Sequence, residues 1–140
     1  MEKIFDGLNT TSWKTPGEVS YPMVMIDMRR KYMITKVAIL SGEEPLMNLE
    51  VRVGDENGNG KNNAGLERFT VNERCGMFFG PTLVNQQWVE VECGVPKGMK
   101  GRFLSLQLTE RFMGNNPLEI TQLEIYGWGR VCGWADPDLS

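Results

Sequence analysis

The residues from Gly54 read GDENGNGKNNAG, and they hold the chain's best candidate for metal chemistry. Asp55, Asn57 and Asn59 stand two apart before Gly60, which is the opening of a calcium loop. Such a loop needs a bidentate carboxylate at its twelfth position. Counted from Asp55, that position is Leu66, and Glu67 comes one residue late. The flanks, LEVRVG and ERFTV, read as strands where a helical calcium hand needs helices. Asn-Gly occurs twice in succession and readily takes the positive-φ geometry of turns. The segment reads as a long, solvent-exposed strand-to-strand loop without metal.

Other chemistry is thin. There is no histidine, so the commonest general base and most zinc sites are missing. The three cysteines show no C-x-x-C pair. Glu43 and Glu44 are adjacent, so in a strand they point to opposite faces and cannot work as a catalytic pair. No nucleophile–base pair stands at readable spacing, and the chain is not expected to be an enzyme.

Net charge is −3, and Arg29-Arg30-Lys31 is the only compact basic cluster, read as a solvated turn. A nucleic-acid partner is not expected. No apolar stretch reaches the ~18–20 residues that span a bilayer. No leader is apparent at the N-terminus, which fits a cytosolic chain or a module of a larger exported protein.

The elements that would position these residues alternate with period two. Strands are expected in PMVMIDM (22–28), MITKVAIL (33–40), LEVRVG (49–54), ERFTV (67–71), WVEVEC (88–93), GRFLSLQL (101–108) and LEITQLEIYG (118–127). RRKY reads as a tight polar connection between the first two. Sixteen glycines and seven prolines fill the turns between strands, and no segment reads as a helix. Strands with one apolar face each must close on a second sheet, so the fold class is all-β, an antiparallel β-sandwich. The domain is placed at 1–127. The tail, 128–140, loses the alternation and reads as a linker or a covering segment.

Taken in order, FDGLNTTSW, MIDM, ITKVAIL, LEVRVGD, RCGMFFGP with VEVEC, GRFLSLQL and LEITQLEIYG resemble the coagulation-factor type C, or discoidin, domain, with the fucolectin branch nearest. The resemblance runs from Phe5 to Gly127. It implies a jelly-roll sandwich of the galactose-binding-like kind, a first strand that would fall before Phe5 and be mostly missing, and binding loops gathered at one end. Those loops would be Thr10–Glu18, Ser41–Asn48 and Gly76–Asn85. It also implies a disulfide between Cys75 and Cys93, the alternative being two buried thiols; the bridge would add roughly 3 kcal/mol by shortening the unfolded chain's freedom. Cys132 is left over in the tail.

The fucolectin sugar motif is absent: the loop SGEEPLMN carries no arginine or histidine and has Glu43 and Glu44 in their place. Ligand contacts are therefore expected from Trp13, Lys14, Glu43, Glu44 and Asn48, with a protein surface favoured and a glycan as the alternative. The implied role is non-catalytic recognition, as in adhesion or cell–cell recognition, outside the cell. A structural calcium, if kept, would use Asp6, Asn9, Thr121 and Gln122, the last replacing a family glutamate. Asn9-Thr10-Thr11 is a glycosylation sequon. Met77, Phe78 and Phe79 read as core; exposed at a loop tip they would instead contact a protein or a membrane.

Overall fold

The computed structural model of the chain describes residues 2–7, 13–14, 20–57, 67–94, 97–110 and 118–128. These form eight strands and no helix: β1 (Glu2–Gly7), β2 (Trp13–Lys14), β3 (Met23–Ser41), β4 (Leu49–Gly54), β5 (Glu73–Phe78), β6 (Trp88–Glu92), β7 (Met99–Leu108) and β8 (Glu119–Trp128). Every pairing is antiparallel.

The hydrogen-bonded order is β1-β8-β3-β7-β4-β5, with β2 also on β8 and β6 also on β3. The 19-residue β3 makes this one path into two layers. Its first part, Met23–Asp27, pairs with β7; its last part, Lys36–Leu40, lies between β8 and β6. One layer is thus β2 and β1, β8, β3 and β6, and the other is β3, β7, β4 and β5. Alternate residues of each strand meet between them: Val37 and Ile39 of β3, Val51 and Val53 of β4, Val89 and Val91 of β6, Leu104 and Leu106 of β7, Leu123 and Ile125 of β8.

Three expectations change. Residues 29–32, read as a turn, continue the strand. The register between β3 and β7 slips from Asp27↔Phe103 to Tyr32↔Gly101, a bulge in which Arg29 takes φ 76° and donates its N–H to the Asp27 carboxylate at 2.8 Å. A first strand is present: β1 pairs with β8 from Glu2↔Gly127 to Gly7↔Leu123. The stretch 67–71 is not a strand. It lies across the outer face of the β7–β4 pair, where the Phe69 N–H donates to the Gln107 side chain at 2.8 Å and the Phe69 ring is buried. Of the loop from Asp55, Asp55, Glu56 and Asn57 are exposed and 58–66 lie outside the described residues; beyond the loop, Asn72 is buried. Asn72 accepts the Glu56 N–H and donates to the Glu56 carbonyl.

Cys75 and Cys93 are bonded, as the resemblance implied. Cys75 is on β5, at the edge of one layer, and Cys93 directly follows β6, at the edge of the other. The bridge ties the two layers together at this edge. β8 ends at Trp128; Cys132 and Trp134 lie outside the described residues.

Candidate functional site

The loops between β3 and β4 (42–48) and between β5 and β6 (79–87) lie at one end of the sandwich and are bonded to each other. The Ser41 N–H donates to the Gln87 carbonyl, and the Gln87 N–H returns to the Ser41 hydroxyl, both at 3.0 Å. The Leu46 N–H donates to the buried Thr82 hydroxyl at 2.9 Å, and the Thr82 N–H to the Leu46 carbonyl at 3.0 Å. Asn48 takes φ 53°, a left-handed conformation that asparagine tolerates. Its N–H donates to the Phe79 carbonyl, and its own carbonyl accepts from the Thr109 N–H and hydroxyl. These bonds tie the two loops together into one platform.

The platform holds an apolar tip in water. Leu83 is 86% exposed and Phe79 68%, with Val84 and Trp88 also open. The tip is stiffened from beneath: the Gln87 side chain accepts the Leu83 N–H at 2.7 Å and the Val84 N–H at 3.4 Å. Gly80 reaches φ 70° before a cis Gly80–Pro81 peptide. The run expected in the core divides here: Phe78 packs on it, whereas Phe79 points away.

The five expected ligand residues fall into two groups. Trp13 and Lys14 have backbones paired with Ile120 and Glu119, and their side chains lie outside the described residues. Glu43 is exposed, and the Glu44 N–H donates to the Glu119 carboxylate at 2.9 Å. Glu119 thus meets two of the five positions, Lys14 across the strand pair and Glu44 through its N–H. It escaped the sequence reading because it is the first polar residue of an ordinary alternating strand. Asn48 stands apart, on the Phe79 side of the loops.

Of the expected calcium ligands, Thr121 donates its hydroxyl to the Ser41 carbonyl at 3.1 Å, and Gln122 donates its amide to Glu124 at 3.3 Å. Glu124 also accepts from Lys3 at 2.8 Å and from the Tyr126 hydroxyl at 2.7 Å, and these bonds hold its carboxyl below the usual range. Asp6 lies opposite Glu124 in the β1–β8 register. The Asp6 side chain and Asn9 lie outside the described residues. No group of three or more acidic or cysteine side chains suited to a metal occurs among the described residues.

Among the described residues the displaced carboxylates are Asp27, Glu50 and Glu124, and all three move downward. Each is locked to a cation, which suits an ion pair and is the reverse of what a general acid requires.

The fold is similar to those of several solved structures. A fucolectin from striped bass serum (Morone saxatilis) superposes with a TM-score of 0.63 at 22% identity, over 84% of this chain and 35% of that one. A Streptococcus pneumoniae fucose-binding module superposes with a TM-score of 0.55 at 17% identity, over 84% and 72%. A family 32 carbohydrate-binding module of C. perfringens, solved with galactose, gives 0.58 at 13%, over 85% and 77%. The chain spans about a third of the fucolectin chain. No family model and no curated protein sequence matches it. At these identities the likeness shows the fold: a discoidin-like, fucolectin-like β-sandwich.

Proposed function

We propose that this chain is a non-catalytic glycan-binding module whose loop end receives the sugar. The observation that carries the reading is the exposed Phe79 on a platform of interlocked loops, on the same platform as Glu43. An aromatic face stacks on the C–H side of a pyranose, and carboxylates accept hydrogen bonds from its hydroxyls. Sharing a fold with lectins supports this by analogy only, since sites are grafted on folds. With glutamates in place of the basic fucolectin residues, the sugar is one whose hydroxyls donate, not fucose held in the fucolectin manner. The disulfide supports an extracellular or cell-surface setting, where such a module serves adhesion or recognition.

A glycan array followed by titration of the best sugar tests the reading. Phe79→Ala should weaken binding about tenfold or more, as loss of a stacked ring does. Unchanged affinity in both Phe79→Ala and Glu43→Gln would refute it. Thermal melts with EDTA and with excess calcium test calcium assistance: a melting temperature lowered by EDTA in the parent chain but not in Asp6→Ala would assign a resident ion to Asp6, and no shift removes calcium from the proposal.

A second reading, a protein ligand, is favoured by Leu83 and Val84, which are apolar and exposed but offer a sugar nothing to bond. It predicts a complex that soluble sugars do not compete.

A further inference from the structure

Away from the loop end, the outer face of β4 and β5 carries a charge imbalance. Glu50 is 1% exposed, and its carboxylate collects three guanidinium groups. Oε1 accepts from Arg52 Nε at 2.8 Å and from Arg68 Nη2 at 3.0 Å. Oε2 accepts from Arg74 Nε at 2.9 Å, Arg68 Nη2 at 3.0 Å and Arg52 Nη2 at 3.3 Å. One negative charge meets three positive ones, so two positive charges stay uncompensated within the cluster. The neighbours Glu67 and Glu73 form no ion pair with these arginines among the described residues.

The three arginines are not equivalent. Arg52 is deeply set, and its Nη1 donates to the carbonyls of Asn72 at 2.6 Å and Thr70 at 3.4 Å. Arg68 and Arg74 keep 36% and 52% of their side chains in water. Each donates to Glu50 through one nitrogen, and a guanidinium carries five N–H bonds. The Nε and Nη1 of Arg68 and both Nη of Arg74 have no partner among the described residues. Two forks are thus tethered to one carboxylate, with donors left over. Ordering a free arginine around an anion costs side-chain entropy; here Glu50 has already ordered both.

We propose that Arg68 and Arg74 form an oxyanion subsite on the outer face of β4 and β5, taking the sulfate or carboxylate of an acidic glycan. The glycan part rests on the reading given above; the oxyanion part rests on the arginines alone. Paired N–H donors match a planar carboxylate or two oxygens of a sulfate.

The test titrates the protein with inorganic sulfate, with a sulfated disaccharide and with its unsulfated counterpart, following the arginine Nε–H signals by NMR. Saturable shifts at Arg68 and Arg74 are expected with the first two and not with the third, with the sulfated sugar binding more tightly than the free ion. Arg74→Gln should weaken sulfate about tenfold, the scale of a lost hydrogen bond to a charged group. Arg74→Lys should restore only part of this, since an ammonium lacks the fork. Linear, unsaturable shifts, or equal binding by a folded Arg74→Gln variant, would overturn the subsite. Saturable inorganic sulfate with no gain from the sulfated sugar would overturn its assignment to a glycan. Neutral-sugar binding without a sulfate response sinks this inference and leaves the loop-end reading standing; the opposite pattern does the reverse.

Discussion

The outer face of β6, β3 and β8 meets water directly, whereas the outer face of β7 and β4 lies beneath the chain's own 67–72 segment. On the first, Lys36 pairs with Glu90 at 3.2 Å and sits 4.6 Å from the Tyr126 ring centre, and Lys3 pairs with Glu124. Lys36 and Glu90 keep contact with water in the folded chain, so their pairing contributes little. On the second, Ser105, Gln107 and Glu50 are buried although polar, and each must find partners. Gln107 accepts from the Phe69 N–H and donates to the carbonyls of Tyr21 and Glu67. Glu50 has its three arginines. The covered face therefore has far more at stake for each side chain removed.

The sharpest way to break this comparison is Phe69→Ala. It empties a fully buried ring site over the covered face, and about 3–5 kcal/mol should be lost in denaturant melts. A loss below about 1 kcal/mol would mean that the segment is not held there. Next comes Glu50. Burial raises its pKa, but the hydrogen bonds of Arg52 and Arg68, with their charges, outweigh this and bring it below 4.5. A carboxylate lowered on folding adds stability that is complete above its unfolded pKa and disappears as pH falls through the folded one. Glu50→Gln should therefore be destabilised at pH 7, and its deficit should shrink as melts are repeated from pH 5 downward. A deficit independent of pH would show that shape, not charge, is what the arginines need. Asp27, lowered from 3.8 to about 2 chiefly by the Arg102 hydrogen bond, loses its share as pH falls from about 4 towards 2. The smallest effect belongs to the open face: Lys36→Ala should change stability by less than about 1 kcal/mol. A larger loss would erase the distinction between the faces.

Much of this architecture was legible in period-two alternation. Leu49, Val51 and Val53, or Leu104, Leu106 and Leu108, can bury one face only as strands, whatever lies elsewhere in the chain. The bulge in β3 was not legible. Arg29-Arg30-Lys31 has the composition of a turn, and only pairing with β7 on both sides keeps it extended. The stretch 67–71 misled for the opposite reason: Phe69 alternates as a strand residue would, yet its N–H is taken by a side chain and not by a ladder. At the candidate site, the bond from the Glu44 N–H to Glu119 was not legible, because the two stand 75 positions apart.

The sequence by itself settled the class of the fold, because alternating apolar residues, frequent turns and the lack of a helical period leave a sandwich as the way to bury those faces. It also removed histidine chemistry outright, since composition needs no geometry. Only the tertiary structure decided which polar residues are buried. Glu50 reads as one more outward residue of β4 until Arg68 and Arg74, 18 and 24 positions away, close over it. Phe79 likewise reads as core until the Asn48 N–H holds its backbone at the loop end. Burial is set by what the chain folds against, and that partner is distant in sequence.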